Sequence, residues 1–302
     1  MMSIFVSVAS YRDAELVSTV RDCLAKAARP DRVRIVVCWQ HRGDEDVSAI
    51  AADPRVELLD VDARASRGAC WARAQVMGHY AGEDWFLQVD SHTRFAPDWD
   101  ARLLTLAAGT GAGKPVITGY PPRYEPADDL PGDGLPAETI VRGWTGDGLP
   151  VLGQRPMTDR SRPTVPARFV AGGFLFAPGS LVREVPYDPR IYFLGEELTM
   201  SVRAFTWGYD LFHPTEALAW HHYLREGSPR HWTDHTSTAG TPGWWTLDRA
   251  SRRRVGVLLR RPNFGRYGLG RVRPLAEYLA HAGCDLTRRT WSDWRQPAAV
   301  GA

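Results

Sequence analysis

The sequence predicts an α/β protein built on an open, mostly parallel β-sheet that is flanked by helices. From Ile4 to Thr118, short apolar runs alternate with segments in which apolar residues recur at helical spacing. This alternation is typical of β-α-β units, in which a crossover helix returns the chain and leaves successive strands parallel. One apolar run ends in four consecutive polar residues, and open α/β sheets bind their ligands beyond the carboxyl ends of the strands.

The elements of this first part follow from the two apolar periodicities. Strands are predicted where apolar runs are short and bounded by turn residues, at 4–9, 33–39, 56–61, 85–89 and 116–118. Helices are predicted at 13–27, 66–80 and 98–108. Pro30 ends the first helix because it has no amide proton, and Pro97 is predicted at the first position of the third helix, which proline favours.

Residues 120–167 show no periodicity, and proline, glycine and aspartate dominate them. A structureless stretch of this length within a compact domain is usually functional, so a long loop that faces a binding site is predicted here. Regular structure resumes at 168–178, and a helix is predicted at 196–207. A short strand is predicted near Leu218.

The chain is expected to form one main domain at 1–245, followed by a helical, arginine-rich C-terminal extension at 246–302 that packs on it. Apolar residues make up 44% of the 302 residues, which is enough for a core, and no run approaches the ~18 residues that cross a bilayer. The 37 basic and 35 acidic residues leave a net charge of +2, which argues against a protein that coats nucleic acid.

The N-terminal segment and the cysteines predict the compartment. The first residues carry no positive leader, and their apolar stretch is too short for a signal peptide. The four cysteines lie far apart and form no C-x-x-C pair, so buried, reduced thiols are expected. We therefore expect a cytoplasmic protein with neither nucleic acid nor membrane as a partner.

Asp90 and His92 directly follow the apolar run at 85–89. Residues i and i+2 of an extended chain lie on the same side, so this carboxylate and this imidazole can bind one cation together. A divalent metal such as Mn²⁺ or Mg²⁺ accepts mixed oxygen and nitrogen ligands and would complete its shell with diphosphate oxygens and water. A turn-capping aspartate beside a surface histidine would give the same short pattern without a function.

The surrounding motifs resemble the nucleotide-sugar site of GT-A glycosyltransferases, in which a D-x-D or D-x-H motif ends a strand and holds the metal. The Asp-Ser-His form at 90–92 is similar to that of the polypeptide N-acetylgalactosaminyltransferases. Gly-Gly-Phe-Leu at 172–175 and Gly-Glu-Glu at 195–197 resemble two further segments of that family. His-Tyr-Leu-Arg at 222–225 resembles its late H-x-x-R, whose histidine completes the metal site.

A closer resemblance is to the hydroxyproline-directed polypeptide GlcNAc-transferases, a cytoplasmic GT-A family. The segments that carry it are 6–13, 87–92, 193–197, 206–212 and 267–270, so the likeness covers most of the chain. It implies that the main domain is a GT-A catalytic domain and that the loop at 120–167 faces the active site or the acceptor. Phe-Leu replaces the Trp-Gly of the galactosaminyltransferases before the glutamates, and this loop leaves the choice between GlcNAc and GalNAc open.

The resemblance implies a set of donor-binding and metal-binding residues. Asp90, His92 and His222 would hold Mn²⁺ or Mg²⁺, with the neighbouring His221 as the alternative to His222. The residues that would bind the nucleotide sugar are Ser10, Tyr11, Arg12 and Asp13 at the end of the first strand, Arg67 and Arg73 at the base or ribose, and Asp90, Ser91 and Gly173. The alternatives are a polar strand-to-helix turn for 10–13 and helical surface arginines for Arg67 and Arg73.

The resemblance also implies catalytic roles for Glu196, Glu197 and Arg225. An inverting enzyme would need one of the glutamates as a general base. Both resembled families retain the anomeric configuration, so we expect retention, with Glu196 and Glu197 positioning hydroxyl groups. Without a function, both carboxylates would still be favoured at a helix N-terminus. The guanidinium of Arg225 suits the departing diphosphate.

The function that these inferences predict is the transfer of N-acetylglucosamine, or another N-acetylhexosamine, from a UDP-sugar such as UDP-GlcNAc to a hydroxyl of a peptide or protein. Two alternatives remain open at this point. One is the same donor chemistry on a small-molecule or glycan acceptor. The other is a protein that binds nucleotide sugar without turnover.

Overall fold

The structure is a computed structural model that describes residues 2–43, 45–126, 134–225, 227–237, 243–260 and 265–293. The strands in chain order are β1 (Ile4–Tyr11), β2 (Val33–His41), β3 (Val56–Asp62), β4 (Trp85–Asp90), β5 (Thr93–Phe95), β6 (Pro115–Thr118), β7 (Ala137–Trp144), β8 (Pro150–Pro156), β9 (Thr164–Pro166), β10 (Phe174–Pro178), β11 (Asp210–Pro214), β12 (Ala219–His221), β13 (Cys284–Asp285) and β14 (Thr290–Trp291). The α-helices are α1 (Leu16–Ala25), α2 (Ser48–Ala51), α3 (Ala69–Met77), α4 (Trp99–Gly109), α5 (Leu181–Glu184), α6 (Glu196–Thr206), α7 (His231–Asp234), α8 (Trp244–Leu258) and α9 (Leu275–Ala282).

The main sheet has eight strands in the order β3-β2-β1-β4-β10-β6-β11-β9. Strands β3, β2, β1 and β4 run parallel, and β6 and β11 form a second parallel pair. Strand β10 is antiparallel to both of its neighbours, and β9 lies antiparallel at one edge. The predicted α/β class with an open, mostly parallel sheet is confirmed.

The sheet separates two hydrophobic cores because successive side chains of a strand point to opposite faces. Phe5 of β1 belongs to the core that includes Cys70 of α3, whereas its neighbours Val6 and Val8 belong to the core that includes Trp99 of α4. All of these side chains are almost fully buried. Burial on both faces explains why β1 is a continuous apolar run.

The topology brings several chain segments to one edge of the sheet. The parallel register pairs Ala9 of β1 with Asp90 of β4, so the carboxyl ends of both strands lie at this edge. Strand β10 runs the other way and begins at Phe174, opposite Val89. The residues just before β10 therefore lie at the same edge. Strand β12 pairs with β5 and places His221 opposite Thr93.

The prediction of a structureless loop at 120–167 is wrong over much of its length. Strands β7 and β8 form an antiparallel hairpin, and β9 joins the main sheet. The turn of the hairpin is closed by the Thr145 amide, which donates to the Leu149 carbonyl at 2.8 Å, and Gly148 adopts φ +86°. Glycine and aspartate in such turns interrupt the periodicity that would have indicated strands. Residues 127–133 of the predicted loop lie outside the described residues.

Two further boundaries differ from the sequence prediction. Helix α4 begins at Trp99, and Asp98 before it has φ +56°, so Pro97 lies outside the helix instead of at its first position. The C-terminal segment contains α8 and α9 but also the small β13–β14 hairpin. Its Val255 and Tyr278 belong to the same core as α6, and the predicted boundary at 245 falls inside α8. Residues 261–264 and 294–302 of the predicted extension lie outside the described residues.

The four cysteines are free and buried, as expected. Across the part of the chain that the structure describes, none of the helices has both the length and the apolar character required to traverse a bilayer.

Candidate active site

Asp90, His92 and His221 form a cluster at the carboxyl edge of the sheet. Each of them offers one ligand atom, and these atoms all lie within 4.8 Å of one another. Nε2 of His221 donates to Oδ2 of Asp90 at 3.0 Å, and Nε2 of His92 lies 4.0 Å from the same oxygen. Both histidines are buried. One carboxylate and two imidazoles suit a borderline divalent cation.

His222, which the sequence favoured as the third metal-binding residue, does not join this cluster. Its Nδ1 faces the Tyr124 carbonyl and the Glu125 carboxylate, each at 3.4 Å. Consecutive residues at the end of an extended segment point to opposite sides, so only one of the two adjacent histidines can face Asp90. The antiparallel pairing of β12 with β5 turns His221 toward Asp90, so the geometry favours His221, the alternative that the sequence left open, over His222.

Asp90 is also bound to Arg73, which lies on α3. An Nη atom of Arg73 donates to Oδ1 of Asp90 at 2.8 Å, and the Arg73 side chain is only 6% exposed. Burial acts to raise the pKa of Asp90, but the hydrogen bond from His221 and the charge of Arg73 outweigh it and hold this pKa well below its usual range. Asp90 is therefore ionised, and its negative charge can attract a cation.

Asp13 binds three groups of the site with a single carboxylate oxygen. Its Oδ2 accepts from Nδ1 of His92 at 2.7 Å, from Oγ of Ser91 at 2.6 Å and from an Nη atom of Arg225 at 2.6 Å. Burial raises the pKa of Asp13, and the hydrogen bond and charge of His92 with the charge of Arg225 overcome this and lower it. Donation from Nδ1 leaves Nε2 of His92 on the side of Asp90, where a metal would need it.

Two cavities meet at this cluster. The cavity on the side of β1, here called the β1-side cavity, has a volume of about 270 Å³. The cavity beside the start of α6, here called the α6-side cavity, has a volume of about 340 Å³. The residues that line both cavities are Arg73, Asp90, Phe193, His221 and Tyr223. A ligand with two parts can thus occupy both cavities and contact Asp90 between them.

The β1-side cavity contains some of the predicted nucleotide-binding residues. Tyr11, Ser91 and Arg225 line it. The wall also contains Gln40 and Arg230, which the sequence analysis did not select. Gln40 belongs to β2, and its side chain is 3% exposed. Arg225 and Arg230 place two guanidinium groups on one wall, as a diphosphate would require.

Three predicted nucleotide-binding residues, Ser10, Arg12 and Arg67, lie outside this wall, whereas Asp13, Arg73 and Asp90 belong to it. Ser10 is buried, and its carbonyl accepts from the Gln40 amide at 2.9 Å. Arg12 pairs with Asp234 at 2.9 Å, and the Tyr11 hydroxyl donates to the same carboxylate. Arg67 is exposed just before α3 and lines neither cavity. Ser10 is thus linked to the wall of the β1-side cavity through Gln40, and Arg12 is linked to it through Asp234 and Tyr11.

The two adjacent glutamates at the start of α6 have different partners. Glu196 forms an ion pair with Arg73 and accepts from the Tyr187 hydroxyl at 3.0 Å. Glu197 accepts from the Gly172 amide at 2.8 Å and from the Tyr120 hydroxyl at 2.8 and 2.9 Å. The pKa of Glu197 is raised, because the effect of burial exceeds that of these two hydrogen bonds, which lower the pKa. Both carboxylates lie in the wall of the α6-side cavity.

The glycine pair before β10 leaves room for the charged groups. A Cβ atom on Gly173 would lie 3.0 Å from Oδ2 of Asp90 and 3.5 Å from a ring carbon of His221. A Cβ atom on Gly172 would lie 2.9 Å from Oε1 of Glu196. Side chains at these positions would push against the cluster, so the backbone approaches it closely only because both residues are glycines.

Tyr120 lines the α6-side cavity and was not among the predicted site residues, although the sequence carried a signal for it. It follows β6 by two residues, at the carboxyl edge of the sheet where Asp90 ends β4. The rule that selected Asp90 would also have selected Tyr120. Arg230 carried no such signal because it precedes a helix of only four residues.

Comparison with protein-family models identifies the family. A model described as Glycosyltransferase (GlcNAc) matches residues 3–53 and 44–288. The chain belongs to this glycosyltransferase family. No curated protein matches the sequence of this glycosyltransferase.

Solved structures show the fold of this glycosyltransferase to be that of GT-A enzymes. A crystal structure of GalNAc-T7 with UDP, GalNAc and Mn²⁺ has a TM-score of 0.59 and 16% identity, and the match covers 93% of this chain and 55% of that chain. S. aureus TarS has a TM-score of 0.50 and 12% identity, and its match covers 88% of this chain and 41% of that chain. This chain thus spans about half the length of the GalNAc-T7 chain that it matches.

Proposed function

We propose that this glycosyltransferase transfers N-acetylglucosamine, or another N-acetylhexosamine, from a UDP-sugar to a hydroxyl of a peptide or protein in a metal-dependent reaction. The observation that carries the proposal is the cluster of Asp90, His92 and His221 between two cavities. A nucleotide sugar has two parts joined by a diphosphate, and a cation at this junction would face the diphosphate.

The donor set fits a divalent metal. One carboxylate and two imidazoles suit Mn²⁺, or Mg²⁺ with more water, and leave positions for phosphate oxygens. His92 is oriented by the Asp13 carboxylate, as ligand histidines generally are. When bound, such a metal supplies positive charge that stabilises the departing diphosphate. The Mn²⁺ and UDP of the GalNAc-T7 crystal structure support the same assignment.

The nucleotide is assigned to the β1-side cavity. Tyr11 supplies an aromatic surface there, and Ser91 lies next to Asp90. Arg225 and Arg230 would bind the diphosphate oxygens. Arg225 is fixed by its 2.6 Å hydrogen bond to Asp13, which itself binds His92, so the phosphate contact and the metal site share one support.

The sugar is assigned to the inner end of the α6-side cavity, where Arg73, Glu196, Glu197 and Tyr120 offer polar groups. Gly173 has no side chain, which leaves space beside Asp90 for the sugar ring. We propose retention of the anomeric configuration, in which a departing phosphate oxygen takes the proton of the acceptor hydroxyl. Glu197, held by Tyr120 and the Gly172 amide, then orients hydroxyl groups. The family description favours GlcNAc as the sugar.

The proposal extends to the acceptor and the compartment. The long hairpin beside the α6-side cavity, which contributes Pro150, Val151 and Leu152 to its wall, supports a peptide acceptor. The four free, buried cysteines support a reducing compartment such as the cytoplasm.

The decisive experiment measures UDP release from UDP-GlcNAc and UDP-GalNAc, with and without peptide acceptors, in Mn²⁺ and after chelation. We expect chelation to stop UDP release and added Mn²⁺ to restore it. We expect Asp90→Asn to abolish UDP release without changing the circular dichroism spectrum. Full activity in chelator would overturn the metal dependence. Calorimetric binding of the UDP-sugar without turnover on any acceptor would instead favour a non-catalytic binding protein.

A further inference from the structure

The wall of the α6-side cavity has a polar part and an apolar part. The polar part, here called the inner end, includes Asp90 and the other charged groups. The apolar part, here called the outer end, is formed by Val151 and Leu152 of β8 and by Phe193 and Leu194 of the segment before α6. Phe193 is 49% exposed and adds apolar surface beside the polar part of the wall.

The charged groups of this cavity are all at its inner end and already have partners. In the wall as far as the structure describes it, these groups are Arg73, Asp90, Glu196 and Glu197. Arg73 pairs with Asp90 and Glu196, and Glu197 is held by a tyrosine hydroxyl and a backbone amide. A charged ligand group at the outer end would therefore lose its water without gaining a counter-charge.

Phe193 lines both the apolar outer end of the α6-side cavity and the β1-side cavity, to which the nucleotide is assigned. Its ring lies 5.3 Å from the Trp232 ring and 5.8 Å from the His231 ring, and all three residues line the β1-side cavity. Phe193 and Trp232 thus form one aromatic border between the two cavities. Phe193 lines the α6-side cavity together with the hairpin residues Val151 and Leu152, so an acceptor bound there would contact both.

We propose that the outer end of the α6-side cavity selects an acceptor peptide whose reacting hydroxyl is flanked by an uncharged, apolar residue, which packs between Phe193 and the start of β8. The proposal rests on the proposed function, because it assigns the inner end to the donor sugar. Burial of apolar surface on both sides of the flanking residue supplies the affinity, and the lack of a free charge in the described wall supplies the selectivity.

The test uses serine peptides that differ only in the residues next to the serine, which are valine, aspartate or lysine. We expect kcat/KM to be at least about tenfold higher with valine than with either charged residue, because an unpaired charge is costly beside apolar walls. Equal kcat/KM values for the three peptides would overturn the proposal. Failure to modify any of them, with metal-dependent UDP release still present, would overturn it too and would leave the donor chemistry intact. Loss of UDP release with every acceptor would contradict the proposed function itself.

Two variants locate the selectivity. Val151→Asp should lower kcat/KM for the valine peptide about tenfold. It should also raise the ratio of kcat/KM for the lysine peptide to kcat/KM for the valine peptide, because the new carboxylate supplies a counter-charge. Ile140→Asp is the matched control: Ile140 is half-buried in the partner strand β7 and does not line the cavity. The control should keep the wild-type order of peptides. An unchanged order in Val151→Asp, with the native spectrum, would show that the hairpin does not select the acceptor.

Discussion

Nδ1 of His92 donates a hydrogen bond of 2.7 Å to the carboxylate of Asp13, which lies 79 residues earlier in the chain. The contact decides which ring nitrogen of His92 faces Asp90. It also links the cluster of Asp90, His92 and His221 to Arg225, because the same oxygen of Asp13 accepts from that guanidinium at 2.6 Å. The candidate metal site and the candidate phosphate contact are therefore one hydrogen-bonded unit.

Asp13→Asn should weaken Mn²⁺ binding without removing a ligand. Loss of the charged partner of a metal-binding histidine typically lowers metal affinity about 10- to 100-fold. The measurement is the Mn²⁺ concentration that gives half-maximal UDP release. Ser91→Ala is the control, because it removes one hydrogen bond to the same carboxylate and leaves the contact with His92. An Mn²⁺ requirement unchanged in Asp13→Asn would contradict the role assigned to Asp13.

His221→Ala and His222→Ala form a matched pair of adjacent substitutions. The first removes an imidazole within 3.0 Å of Asp90, and the second removes one that faces Tyr124 and Glu125. We expect UDP release to fall more than about 100-fold in His221→Ala, since even indirect changes at metal sites cost 10- to 100-fold. His222→Ala should have a much smaller effect. The opposite order would restore the assignment that the sequence favoured.

Glu197→Gln tests whether this buried glutamate acts as a base. If the departing phosphate takes the proton, the substitution should lower kcat less than about 100-fold, which is the lower end of what a general base contributes. The product should keep the anomeric configuration of the donor, which proton NMR of the glycosylated peptide measures. A fall in kcat of more than about 100-fold, or a product with inverted anomeric configuration, would identify Glu197 as a catalytic base. The control is Tyr120→Phe, which removes the hydroxyl bound to Glu197 and leaves the carboxylate.

Gly173→Ala should damage the site while leaving the fold intact. The added Cβ would lie 3.0 Å from Oδ2 of Asp90, so the carboxylate must shift by a few tenths of an ångström. Small displacements of catalytic groups lower rates about 10- to 100-fold, and we expect a fall of that size in metal-dependent UDP release. Gly109→Ala is the control, because its Cβ would meet nothing within 4 Å and alanine favours the helix. Wild-type activity in Gly173→Ala would show that the cluster has more space than this geometry allows.

The sheet and the first two residues of the candidate metal cluster were predictable because they depend on local patterns. The strand at 85–89 and the pair Asp90 and His92 after it follow from a buried apolar run and from the two-residue period of an extended chain. The hairpin β7–β8 was missed because its strands are only partly buried, so their pattern does not alternate clearly between apolar and polar residues. Tyr120 could have been found by the same strand-end rule as Asp90.

The sequence by itself determined the α/β class, the carboxylate and histidine at the end of β4, and the pair of glutamates at the start of α6. Each of these depends on residues that are neighbours along the chain. Only the tertiary structure decided that His221 faces Asp90, that Asp13 orients His92 and that β8 borders the α6-side cavity. These relationships join residues up to 131 positions apart, and they follow from strand pairing and close packing, which no local pattern contains.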